Sequence, residues 1–175
     1  MKEAGRSKWS EQTVARPFFK RLMASQAPAA TLLVRVMVGT VFFEEGLQKF
    51  LFADLLGAGR FARIGIPAPE VLGPLVGAVE IVCGAFLLVG LLTRLAAVPL
   101  LITISTAVAA TKIPILLGHD YGSFHVARLA RYGWWSMASE ARTDFSMLLG
   151  LLFLLIVGAG RWSLDTVFST GKGLP

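Results

Sequence analysis

The chain has 175 residues, 55% of them hydrophobic and only 16% charged, where an ordinary soluble domain carries about 25% charge. Its apolar residues gather into four stretches, 29–52, 69–91, 95–117 and 143–160, each close to the ~20 residues that cross about 30 Å of hydrocarbon. That distribution argues against a soluble enzyme, a disordered chain and a disulfide-stapled secreted scaffold, and the lack of period-two alternation argues against a transmembrane barrel. The net charge of +6 comes without a helix-turn-helix, zinc or RRM signature, so it points to lipid and not to nucleic acid.

The predicted fold is all-α: a polytopic membrane protein with four transmembrane helices in an antiparallel bundle and a basic amphipathic segment ahead of them. Residues 1–28 form that cytoplasmic N-terminal segment, 29–160 the transmembrane domain and 161–175 a cytoplasmic tail. Within the first segment, Trp9, Val14, Phe18, Phe19, Leu22 and Met23 alternate with basic residues, and Pro17 suits a first helical position. Residues 17–25 therefore read as a short helix on the anionic leaflet, and 1–12 as a disordered tail. Charge throughout the first 27 residues, without an apolar core and a small-residue cleavage pattern, argues against a cleavable signal peptide, so the segment is expected to be retained.

Along the first span, at 100° per residue, Arg35, Gly39, Phe42, Gly46 and Lys49 fall within about 80° of one another, a stripe that must face protein. Glu45 lies at its edge, four residues before Lys49 in the favourable order for an ion pair. Glu44 points to the opposite side. After a loop at 53–68 that turns through Gly65-Ile-Pro67, the second span sets Gly73, Gly77, Glu80 and Gly84 on one face. Small residues there let a neighbouring backbone approach and leave one carboxylate at mid-depth. A charge inside a span costs roughly 2.5–3.5 kcal/mol, so Glu80 requires a cation, and Arg35 is the expected partner.

A tight hairpin at 92–94 leads into the third span, which carries Lys112 near its outer end. The loop 118–142, with Tyr121, Phe124, Tyr132, Trp134 and Trp135, is expected at the outer interface, partly helical. Asp144 opens the fourth span. Glu45, Lys49, Lys112 and Asp144 share the outer half of their spans and form a candidate ligand pocket; Glu44, Trp134 and Trp135 are candidate partner contacts. His119 and His125 stand in a loop without further spaced Cys or His, which argues against a metal, and no span holds the histidines a bis-histidine haem needs. The single cysteine, Cys83, rules out an intramolecular dithiol relay.

Orientation follows from the basic residues. Lys2, Arg6, Lys8, Arg16, Lys20, Arg21, Arg94, Arg161 and Lys172 make nine on one side, against five (Arg60, Arg63, Arg128, Arg131 and Arg142) on the other. The positive-inside rule then puts both termini in the cytoplasm of a multi-pass bacterial inner-membrane protein.

The chain resembles the DoxX family of small bacterial four-helix membrane proteins, related in fold to the membrane subunit of thiosulfate:quinone oxidoreductase. The resemblance spans about residues 31–167 and rests on three ordered blocks. These are the Arg35-to-Lys49 stripe with Gly65–Pro67; Glu80, Gly84 and Gly90 followed by Thr93-Arg94-Leu95-Ala96-Ala97; and Gly158 to Asp165. Glu44, Glu45 and the long 118–142 loop depart from the pattern. The resemblance implies a polar core of Arg35, Lys49, Glu80 and Arg94 and a redox-associated setting, without naming a catalytic residue or a reaction. Two functions follow as expectations. One is a subunit with a quinone or small-ligand site in the outer half of the bundle; if an enzyme, it is a quinone-linked oxidoreductase subunit that takes electrons through a membrane or periplasmic partner. No covalently bound cofactor is expected, and neither haem nor an Fe–S cluster. The other is a scaffold subunit of a larger membrane complex.

Overall fold

The structure, a computed structural model, describes residues 27–170, with no side-chain detail for the last two. The readings made above for residues 1–12 and 17–25 lie outside that range. Among the described residues eight helices follow one another: α1 (Thr31–Leu51), α2 (Ala53–Leu56), α3 (Ala58–Ile64), α4 (Pro69–Val89), α5 (Thr93–Leu117), α6 (Trp134–Glu140), α7 (Arg142–Val157) and α8 (Leu164–Thr170). Among the described residues the only β-pairing is one isolated bridge, Tyr121 with Phe124.

Local chemistry sets the ends. Pro69 opens α4, where a missing N–H costs nothing. Gly90, at φ 69°, closes α4 as its N–H reaches the Leu87 carbonyl and the Leu91 N–H the Phe86 carbonyl, the paired bonds of a Schellman motif. The segment read from sequence as the loop 53–68 folds into α2 and α3, held together by Arg63, which donates to the Asp54 carbonyl at 2.8 Å and the Leu55 carbonyl at 2.7 Å. The aromatic loop 118–142 is partly helical as expected, through α6.

Helix α1 packs along α4, and α5 along α7, with the α4–α5 hairpin and an α1–α7 contact joining the two pairs. Their shared core is built from Val38, Phe42, Leu87, Ala97, Leu100, Ile104, Met147, Leu151 and Leu154. The stripes anticipated on the first two spans meet each other: Arg35, Gly39, Phe42 and Gly46 are buried on α1, and Gly73, Gly77, Glu80 and Gly84 on α4. A methyl group on Gly46 would stand 2.6 Å from the Gly77 carbonyl oxygen and 2.8 Å from the Ile81 nitrogen, both backbone atoms that cannot swing aside. Gly46→Ala is therefore expected to destabilise the protein by about 1–3 kcal/mol, measured as a lowered melting temperature in detergent; an unchanged value would mean the helices do not cross there.

Outward, Leu33, Leu51, Leu55, Val71, Ile102 and Ile156 are each well over half exposed, large apolar side chains turned away from the core as a lipid-facing surface requires. Helices α4 and α5 are each long and apolar enough to cross a membrane. The other two expected spans differ from that standard: α1 carries Arg35, Glu44, Glu45 and Lys49, and α7 has only 16 residues because the chain leaves the helix at Gly158, at φ 88°.

The segment after the fourth stretch is the largest departure from expectation. Read from sequence as a tail beginning at 161, it carries α8, and Ser163 and Asp165 are each only 2% exposed. Ser163 accepts the Thr166 N–H and so caps α8. Asp165 caps a different helix, accepting the Leu92 N–H at 2.7 Å and the Thr93 N–H at 3.0 Å at the start of α5. Leu92, a non-glycine residue at φ 48°, is thereby held in a conformation that sterics disfavour.

Candidate functional site

Two groups of charge lie in the half of the fold predicted to be outer. On α1 and α4, the Lys49 ammonium stands 2.6 Å from Glu80 Oε2 and 3.5 Å from Glu45 Oε2. The three side chains grade from interior to surface: Glu80 is 5% exposed, Lys49 10% and Glu45 51%. The Glu45–Lys49 pair is the one its i,i+4 spacing predicts. On α5 and α7, Lys112 pairs with Asp144 at 3.1 Å, both largely buried. Among the described residues no hydrogen bond or ion pair joins these two groups.

Arg35 does not pair with Glu80. Gly39 meets Gly84 and Gly46 meets Gly77 and Glu80, so Glu80 is level with Gly46, eleven residues and roughly 16 Å along the helix from Arg35. An arginine side chain does not span that rise. Lys49, one turn beyond Gly46, reaches Glu80 instead.

Arg35 is 2% exposed and finds its partners among carbonyls. Its Nε donates to Leu87 at 2.9 Å, Nη2 to Leu88 at 2.9 Å, and Nη1 to Ala159 at 3.0 Å and Trp162 at 2.6 Å. The guanidinium thus sits on the C-terminal carbonyls of α4, the negative end of that helix, and ties them to the turn after α7. Arg94 does related work in the first turn of α5, donating to the Ile156 carbonyl at the end of α7 at 3.1 Å. The Arg35 cradle and the Lys49 triad are therefore two separate polar sites at different heights.

The candidate partner contacts lie at the surface. Glu44 is exposed and accepts from Gln48 at 3.2 Å, and Trp134 and Trp135 are 62% and 84% exposed. In the loop before them Asp120 accepts the Val126 N–H at 2.8 Å and faces His125 Nδ1 at 2.9 Å. Those bonds hold its carboxyl below the ordinary aspartate range.

Asp165 and Ser163 are the residues that sequence reasoning placed in a family block without giving them work. The available signal was Ser163 three positions before Thr166, an N-cap spacing. No sequence signal connects Asp165 to a helix start seventy-two residues earlier.

The DoxX family model matches residues 30–113, a range that contains Arg35, Glu45, Lys49, Glu80, Arg94 and Lys112 and stops before Asp144 and Asp165. The chain is 52% identical over 151 residues to the "Uncharacterized membrane protein Rv3486" of Mycobacterium tuberculosis, covering 86% of this chain and 88% of that one. It is 27% identical over 143 residues to the "Putative oxidoreductase CatD" of Bacillus subtilis, covering 81% of this chain and 89% of the relative. No solved structure matches it. With its exposed apolar surface, two membrane-length helices, the family match over residues 30–113 and 52% identity over most of its length to a membrane protein, the chain belongs to the DoxX family of membrane proteins.

Proposed function

We propose that this protein is a redox-associated subunit of the bacterial inner membrane that binds a quinone headgroup beside Lys49, crossing the bilayer four times with both termini in the cytoplasm. The observation that carries the reading is the Lys49 ammonium held between a buried carboxylate, Glu80, and a half-exposed one, Glu45. An ammonium has three N–H donors; beside the short Glu80 contact, Lys49 makes only long ones on the Glu45 side, 3.4 Å to its backbone carbonyl and 3.5 Å to its carboxylate, which a ligand carbonyl can displace. Reducing a quinone to a quinol takes two electrons and two protons. A reduced periplasmic or membrane partner supplies the electrons; Glu45 passes protons from the surface while Lys49 steadies the developing oxyanion and Glu80 holds Lys49 in place. Lys112, neutralised by Asp144, is the second donor at this end of the fold. The name of the Bacillus subtilis relative is consistent with redox work.

The test is purification in mild detergent followed by quinone extraction. Glu45→Gln is expected to keep wild-type stability, because the Lys49–Glu80 pair survives, while slowing quinone reduction in membranes several-fold. The charge-balanced Lys49→Met/Glu80→Gln variant is expected to fold and to lose bound quinone. Wild-type protein that carries no quinone, and that an added quinone analogue does not stabilise, would overturn the site. A stoichiometric protein partner in that case favours the scaffold reading, for which exposed Glu44, Trp134 and Trp135 are the contact surface.

The topology has its own test. Nine basic residues against five favour cytoplasmic termini, and the α1–α4 and α5–α7 pairings support an antiparallel four-span bundle. A phosphatase reporter that works only outside the cytoplasm is expected to be active when inserted after Gly122 and inactive when joined ahead of Ala27. The reverse pattern would invert the orientation.

A further inference from the structure

Beside the Arg35 cradle lies a cleft of about 400 Å³, lined by Leu32, Leu88, Val89, Trp162 and Leu164 with Arg35 and Ser163 as its polar members. Its size falls among small-ligand sites, roughly 300–1,000 Å³. The apolar side chains around it continue to the surface: Leu33 is 71% exposed, Trp162 53% and Val89 49%. In a membrane protein such a mouth opens toward lipid.

Among the described residues the charge at the cleft has no carboxylate in contact with it, although Asp165 is close enough to act on it electrostatically. Arg35 bonds four carbonyls but, among the described residues, is in ion-pair contact with no carboxylate. Asp165, the acid of this end, is committed to the Leu92 and Thr93 N–H groups. Of the five N–H donors of a guanidinium, four are used; the remaining one, on Nη2, has no acceptor among the described residues. Ser163 adds no donor, because its hydroxyl already donates to the Gly160 carbonyl at 2.7 Å. Exposed Arg161 stands next to Trp162 in the chain and adds a second positive charge at this end.

We propose that this cleft binds an anionic phospholipid, with an acyl chain along Leu32, Leu88, Val89 and Leu164 and the phosphate on the free Nη2–H of Arg35. Guanidinium and phosphate form strong charge-assisted hydrogen bonds, and basic pockets between spans on the cytoplasmic side are suited to anionic headgroups. The cleft belongs to the Arg35 end; it is independent of the quinone reading at Lys49 and rests on the proposed orientation for its cytoplasmic placement.

The experiment is a thermal melt of the full-length protein in a neutral detergent, titrated with phosphatidylglycerol, phosphatidylcholine or sodium phosphate. Phosphatidylglycerol is expected to raise the melting temperature, as any ligand of the native state does, while the other two leave it unchanged. Leu164→Trp fills the cleft and is expected to abolish the response; Val89→Trp, at a half-exposed position, does the same with little risk to folding. Lipid extracted from the wild-type protein is expected to be enriched in anionic phospholipid, and that from Val89→Trp is not. Equal responses to both lipids, a rise with phosphate alone, quinone as the tightly held molecule, or an undiminished phosphatidylglycerol response in a folded cleft variant would each overturn the assignment.

Discussion

Arg35→Gln is expected to be among the most destabilising single substitutions in this chain, on the order of 3–6 kcal/mol, because hydrogen bonds to a charged donor contribute roughly 1.5–3 kcal/mol each and at least two of its four are lost. A glutamine amide has two N–H groups and a shorter reach. It cannot serve the Leu87, Leu88, Ala159 and Trp162 carbonyls together. Arg35→Lys is expected to rescue little, since an ammonium lacks the planar fork that these carbonyls surround. Gly90 belongs to the same node: at φ 69° and with a methyl group placed 2.6 Å from Arg35 Cζ, Gly90→Ala both strains the backbone and pushes the guanidinium away. Its loss should not add fully to that of Arg35→Gln, because both break the same cradle. Reversible unfolding in detergent measures all three. A lysine variant within about 1 kcal/mol of wild type, the usual limit for a tolerated substitution, would show that charge alone matters there.

The second large effect is the coupling of Lys49 to Glu80. Each is nearly buried, and removing one partner of a buried ion pair leaves the other uncompensated, at a cost of about 3–5 kcal/mol. Glu80→Gln and Lys49→Met are each expected to fall near that range, and the double variant to recover much of the sum. Lys49→Met is the milder of the two on the Glu45 side, where the carboxylate is half exposed and water replaces the lost cation. By contrast, Arg35→Gln and Glu80→Gln are expected to add without coupling, since roughly 16 Å of helix separates the two sites. Additive losses for Lys49 and Glu80, or strong coupling between Arg35 and Glu80, would reverse this assignment of partners.

Legibility differed from residue to residue. Helical periodicity showed which faces of α1 and α4 meet, because glycine and charge recur there every three or four positions. The Glu45–Lys49 pair was readable because i,i+4 neighbours lie in one helix whatever its surroundings. Glu80 was recognisable as a buried carboxylate in need of a cation, but the choice between Arg35 and Lys49 turned on the register of two helices, which the Gly39–Gly84 and Gly46–Gly77 approaches set.

The amino-acid sequence by itself therefore determined the membrane class, the helical character, the inward stripes and the family. The first three depend on composition or on periodicity within one helix, and the family on the resemblance carried by three ordered blocks along the chain. Only the tertiary structure decided that Arg35 serves carbonyls from two distant segments, that Asp165 caps α5 from beyond α7, and that Lys49 is the cation for Glu80. Every residue carries a backbone carbonyl, so nothing in a one-letter code marks the few left unpaired at a helix end. Which side chain meets them depends on where α4 stops and on how the chain after Gly158 returns beneath it.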